Sequence, residues 1–395
     1  MKISVKYYDV ISVILLLLLV ALSQWSVNTL LARGKTYRPN NIIEMGGKAN
    51  VLIVGGGAVG TMVAYALDTG NLAKVTLVLR SNYKAVRAAG FSIDSIDHGK
   101  DIHSWRPTII RDTIPDVQKE SLEPFDYVVV TTKNIPDVPP TVAELIKPTI
   151  TQEISTIVLM QNGLNIEKPL LSAYPDNTIL SGVQLIGANE ISPGVVLHNE
   201  PDSCKLGVFA AEGRSDSLRS ADAHRARTFV KAYNACGKVD CQFDEDVRYT
   251  RWKKLLYNSS YNSVSAVLGI DVTRMRLYEH VIDDLVKPIM QEIRAIAVAD
   301  GVHLPEDLIM SLITIDSLGS WFMPSMGQDA SKGNFIEFEN IVGEPIREAK
   351  RLGVPSPTLT TMYGILKGIQ ARTKEAKGLI KPRIEDAKRY RGGGS

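Results

Sequence analysis

The chain has 395 residues, of which 45% are hydrophobic and 22% charged, with 45 Lys and Arg against 43 Asp and Glu. That length exceeds what one core usually organises, and the composition excludes a disordered or fibrous chain. A formal net charge of +2 gives no reason to expect a nucleic-acid partner, so any phosphate site must be local.

Between Val10 and Ala32 no residue is charged, and Val13–Leu22 reads VILLLLLVAL. Lys2 and Lys6 precede this stretch; Arg33, Lys35 and Arg38 follow it. At about 1.5 Å per residue it is long enough to cross a hydrocarbon core of ~30 Å. Residues 1–33 are therefore expected to anchor the chain in a membrane, with the catalytic part on the cytosolic side. A cleaved signal peptide ending at small residues such as Ala21 and Ser23 is a second reading, and a soluble cytoplasmic or mitochondrial protein a third. Residues 34–49 are polar, with glycine and proline, and read as a linker.

Residues 50–243 alternate between strand and helix patterns. Asn50–Val54, Val75–Leu79, Tyr127–Val130 and Ile157–Met160 are short apolar runs of the kind buried in a parallel sheet, and Ala58–Leu67 has helical spacing. Further strands are expected at Ile179–Ile186, Val195–Leu197 and Lys205–Val208, and a polar loop at Gly213–Asp222. From residue 244 to 373 the pattern is helical. Ile282, Leu285, Val286, Ile289, Ile293 and Ile296 mark a long amphipathic helix that Pro288 should kink. Pro305 fits a helix start, and Phe335–Leu352 and Thr358–Ala371 read as two more helices. Residues 374–395 form a charged tail that thins into GGGS. The expected fold is α/β: an N-terminal Rossmann-type doubly wound sheet followed by an all-α C-terminal domain.

Gly55-Gly56-Gly57-Ala58-Val59-Gly60 follows the first strand and opens a helix. In that context Gly55 allows a tight turn, Gly57 a close approach of backbone to a pyrophosphate, and Gly60 the packing of helix on strand. The phosphates would meet the free N–H groups of Ala58, Val59 and Gly60 at the helix N-terminus. A glycine-rich turn without a ligand is the bland reading. The second strand ends Leu79-Arg80-Ser81-Asn82, where an NAD-binding unit would carry Asp or Glu. A guanidinium suits a 2′-phosphate, so NADPH is the expected cofactor; a solvated Arg80 is the other reading.

In RWKKLLYNSSYNSVSAVLGI, Lys254, Asn258 and Asn262 recur every four residues and share a helical face. Asparagine is a poor choice for an ordinary surface helix. The stripe fits a face turned to a polar cleft, or one packed on another domain. The cysteines Cys204, Cys236 and Cys241 form no CxxC pair, and the histidines have no ligand spacing, so no metal or disulfide framework is expected. No GxSxG elbow points to a hydrolase.

Together these pieces resemble the ketopantoate reductase (2-dehydropantoate 2-reductase) family, over about Asn50 to Lys367. The resemblance rests on the glycine turn with VLRSNY, on VVVTTKN, LMQNG and WKKLLYNSSYN, and on SMGQD followed by Glu337. It implies that Lys254 is the general acid and that Asn258 and Asn262 line the substrate pocket. Ser325 and Glu337 match residues that hold substrate or order the lysine. Asn162 matches an asparagine at the cofactor–substrate junction, and Lys133 a lysine beside the nicotinamide end. The implied reaction is NADPH-dependent reduction of ketopantoate in pantothenate and coenzyme A synthesis. A reductase of another 2-oxoacid and a non-catalytic, tethered NADP(H) sensor are the alternatives. The expected partner is a small 2-oxoacid, and the reading admits a homodimer.

Overall fold

The structure is a computed structural model and describes residues 46–211 and 213–386. The expected anchor, nearly all of the linker and the GGGS end lie outside the described residues. Among the described residues no helix is long and apolar enough to cross a membrane.

Among the described residues ten strands form one sheet: β1 Ala49–Val54, β2 Ala73–Val78, β3 Phe91–Ser95, β4 Gly99–Trp105, β5 Ile109–Arg111, β6 Tyr127–Val130, β7 Thr156–Leu159, β8 Ile179–Ser192, β9 Val195–Val208 and β10 Asp240–Phe243. Six of them lie parallel in the order β5-β2-β1-β6-β7-β8, the doubly wound arrangement. β1, β6 and β7 are buried at every position, which is why their sequences are continuously apolar rather than alternating. The chain order reverses between β1 and β6, and in doubly wound sheets such a switch point places the ligand crevice beyond the C-terminal ends of the strands.

The sheet then continues in a way its sequence did not announce. β8 and β9 are 14 residues each and pair antiparallel, replacing the three short strands expected between Ile179 and Val208. Only the first six residues of β8 are buried; from Leu185 on every residue is half-exposed or exposed, and Gly187-Ala188-Asn189-Glu190 interrupts the apolar run, which hid the strand's continuation. β3 and β4 form an antiparallel hairpin beside β9, and β10 adds a parallel strand on it.

Residues 216–222, expected as loop, are the opening of a helix, Asp216–Asn234. Ser215 caps it by accepting from Leu218 N at 3.4 Å. Its buried stripe, with Ala226, Phe229, Ala232 and Tyr233, begins only after two polar turns.

The C-terminal part is helical and packs with the sheet in one compact unit from Lys48 onward. Its core is built on Trp252, Leu256, Tyr261, Ile289, Ile293, Ile296 and Leu366. A π turn at Ile282–Val286 precedes the helix Lys287–Ala299, so Pro288 sits in a first turn, where its missing N–H costs little. The helix expected from Phe335 starts later, with a π turn at Glu339–Gly343 leading into Glu344–Leu352. The last helix runs Pro357–Ala376 and takes in Lys374, expected in the tail, whose Nζ pairs with Asp137 at 2.7 Å.

Candidate active site

The glycine turn caps β1 at the mouth of the crevice. Gly55 has φ +113°, and a Cβ there would stand 2.8 Å from Thr132 N. A Cβ on Gly60 would meet the Gly55 carbonyl oxygen at 1.9 Å, so helix and turn are in contact. A Cβ on Gly57 would meet nothing within 4 Å, which leaves room over the turn. The helix Ala58–Thr69 begins at Gly57 with no side-chain cap and no acid in its first turn. Its N-terminal N–H groups, those of Ala58, Val59 and Gly60 among them, together with this open cradle fit a pyrophosphate.

Arg80 is exposed just beyond β2. Asn82 is buried and donates to Gly56 O at 2.6 Å and to Glu190 Oε1 at 2.8 Å. A carboxylate therefore does approach this corner, from the distant β8 rather than from β2 itself. Gly194 N also donates to Glu190 Oε1, at 2.9 Å, which softens its charge.

The loops after β6 and β7 supply the next groups. Glu337 is 5% exposed and accepts from Asn134 N at 2.9 Å. The Asn162 side chain lies near this carboxylate and favours its charged form. Burial pushes the Glu337 carboxyl above its ordinary range, against the pull of Lys133 and of these donors. Lys133 Nζ lies 2.6 Å from Asp329 Oδ2 and 3.6 Å from Glu337 Oε2. Burial lowers the Lys133 ammonium, but Glu337 and Asp329 outweigh it and hold the ammonium above its usual range.

The helix Val247–Tyr257 gives Trp252, Leu255 and Leu256 to the helical core and turns Arg251 and Lys254 to the sheet side, where they reach Ser181 and Gln184 of β8. A π turn, Asn258–Asn262, follows directly; such turns recur at functional sites because they re-aim side chains. Asn258 and Asn262 do share a face, since Asn262 Nδ2 donates to Asn258 Oδ1 at 3.0 Å. Asn262 Oδ1 in turn accepts from Met326 N at 2.9 Å and Ser325 Oγ at 3.2 Å. Its polar atoms thus fasten the Asn258 side chain and the start of the helix Ser325–Ser331.

Lys254 donates to the Gln184 carbonyl on β8, and the Gln184 side chain is itself held by buried Asp202. Burial first, and the Arg251 charge second, lower the Lys254 ammonium to about 8, with Cys204 and Glu337 opposing. Glu337 thus stands near Lys133, Asn162 and Lys254, while Asn258, Asn262 and Ser325 form a second, hydrogen-bonded group further along the chain from Lys254, and the glycine turn stands at the end of β1, next to β6 in the sheet. Sequence reasoning passed over Arg251, Asn134, Gln184 and Asp329. For Arg251 a signal existed: an arginine three residues before Lys254 belongs to the same face.

Two family profiles, described as Ketopantoate reductase PanE/ApbA and Ketopantoate reductase PanE/ApbA C terminal, match residues 51–211 and 246–370. The chain belongs to the ketopantoate reductase family and is an oxidoreductase of that class. A Saccharomyces cerevisiae protein, the uncharacterized YDL144C, is 37% identical over 352 residues, 84% of this chain and 97% of its own length. The 2-dehydropantoate 2-reductase of a Nostoc species is 26% identical over 322 residues, 82% of this chain and 95% of its own. The crystal structure of 2-dehydropantoate 2-reductase from Methylococcus capsulatus has a TM-score of 0.67 at 28% identity, covering 82% of this chain and 97% of that one.

Proposed function

We propose that the protein reduces 2-dehydropantoate (ketopantoate) to pantoate with NADPH, the step that serves pantothenate and coenzyme A synthesis. The observation that supports this best is a half-buried ammonium, Lys254, on one face with Asn258 and close enough to Glu337 to feel its charge. A bound nicotinamide supplies hydride to the carbonyl carbon. Lys254 hydrogen-bonds the carbonyl oxygen, stabilises the negative charge it gathers and gives it a proton. Asn262 fixes the Asn258 carbonyl, leaving the Asn258 amide nitrogen to meet the substrate, and Ser325 joins it by turning its hydroxyl from Asn262 Oδ1 to the substrate. Glu337 and Asn162 order the junction between cofactor and substrate. Steady-state reduction of a panel of 2-oxoacids tests the substrate: ketopantoate should give the highest kcat/KM. A clear preference for another oxoacid would replace it.

The acid must carry its proton. With the Lys254 ammonium lowered to about 8, kcat should fall as pH rises through that value. A basic side that stays flat would contradict the assignment.

NADPH rather than NADH is proposed because Arg80 offers a forked donor to a 2′-phosphate, while Glu190 is held by Asn82 and Gly194. Arg80→Ala should weaken NADPH binding by about ten-fold, ~1.4 kcal/mol, and leave NADH binding nearly unchanged. Equal affinity of the wild type for both nucleotides would overturn this choice.

A further inference from the structure

One turn before Lys254, the same helix carries a second cation, and this one is buried. Arg251 is 7% exposed. Its Nη1 donates to Gln161 O at 3.1 Å and to Gly163 O at 2.8 Å, the carbonyls on either side of Asn162. Nε and Nη2 donate to Ser181 Oγ at 3.0 and 2.7 Å, and Nη2 also to Gly182 O at 3.3 Å. The counter-ion is Glu167, 3.0 Å from Nε and 1% exposed, which also accepts from Ser181 Oγ at 2.5 Å. A planar five-donor fork can make this set of bonds; an ammonium cannot.

The bonds join three pieces of chain: the turn after β7, the start of β8 and the helix of Lys254. The far side of that turn is closed as well. Leu164 N donates to Asn340 O at 2.8 Å, and Gly163, at φ +110°, has room for no Cβ, which would lie 2.5 Å from that of Asn340. Asn162 is thus pinned between Arg251 and the π turn that follows Glu337.

We propose that Arg251 is a positioning residue of the reaction centre, holding the Asn162 turn and the Lys254 helix in one register so that proton donor and cofactor–substrate junction meet. The inference rests on the reading of Lys254 as the acid. It differs from a merely structural ion pair in one respect: the Arg251 charge also disfavours a second cation one turn along the helix.

The test uses the full chain and the variants Arg251→Met, Arg251→Lys, Ser181→Ala and Lys254→Ala. Nucleotide affinity, kcat and KM are measured across pH. Arg251→Met should lower kcat by about ten-fold or more with NADPH affinity within about two-fold, and its basic limb should move to higher pH. Arg251→Lys keeps the charge but not the fork, so it should lose kcat with the limb left in place. If Arg251→Met fails to fold, Ser181→Ala keeps both charges and removes a shared anchor; a several-fold loss of kcat at unchanged NADPH affinity is then expected. Wild-type kcat and an unmoved limb in Arg251→Met, or wild-type kcat in Ser181→Ala, beside an inactive Lys254→Ala, overturn the proposal. An active Lys254→Ala would instead overturn the assignment of the acid.

Discussion

Lys254→Ala is expected to lower kcat by roughly 10²–10⁴ while NADPH binding stays nearly normal. The size follows from what the side chain does. An oxygen that gathers charge as hydride arrives needs both a cation and a proton, and Lys254 offers both from the helix Val247–Tyr257, anchored on the Gln184 carbonyl. Its partners are arranged so that removing it leaves the fold intact. Trp252, Leu255 and Leu256 of the same helix carry the packing, and Lys254 is only half-buried. The glycine turn belongs to β1 and is untouched, which is why nucleotide affinity should hold. Small amines added to the variant should restore part of the rate. Retention of more than about a third of wild-type kcat would remove Lys254 as the acid and turn attention to Lys133.

The second large effect is expected at the glycine turn, where two substitutions of the same size should behave differently. In Gly60→Ala the new Cβ would stand 1.9 Å from the Gly55 carbonyl oxygen and 2.5 Å from Thr131 Oγ1. Backbone has to move, so stability should fall by about 1–3 kcal/mol, and nucleotide affinity by about 10²-fold, ~2.8 kcal/mol. In Gly57→Ala the Cβ meets no protein atom within 4 Å. Its melting temperature should stay within a degree or two of wild type while affinity still drops, because the methyl takes the space over the turn. Wild-type nucleotide affinity in Gly57→Ala would mean that the pyrophosphate does not lie there.

The parts of this site that could be read from sequence are those whose geometry is local. Strand, glycine turn and helix follow one another within Ala49–Thr69, so their juxtaposition is fixed by the chain itself. Lys254, Asn258 and Asn262 share a helical face, and the Asn258–Asn262 bond keeps them together even through a π turn that spacing does not foretell. For Arg251 the spacing placed it on the face of Lys254 but not its role, because Ser181 and Glu167, which explain its burial, are far away in sequence. Glu190 reaches the end of β2 through tertiary structure as well, so the strand-end sequence alone hid a carboxylate. In the fold, the missed strands are those without an apolar run. β4, Gly-Lys-Asp-Ile-His-Ser-Trp, is exposed at most positions and pairs at the sheet edge. Ala226, Phe229 and Tyr233 show the helical stripe of Asp216–Asn234 only after its polar start had passed for a loop. Chemistry was thus easier to find than its supports, since reacting groups cluster on short motifs and the groups that hold them do not.

The proposed reaction is hydride transfer from NADPH to the carbonyl carbon of ketopantoate. The most direct measurement supplies NADPH carrying deuterium at the transferable position of the nicotinamide and follows the label by mass spectrometry. The expected product is pantoate bearing the deuterium on its carbinol carbon, formed by the wild type and formed at least about 10²-fold more slowly by Lys254→Ala. Ketopantoate recovered unreduced with the wild-type protein, or pantoate formed without the label, would contradict it.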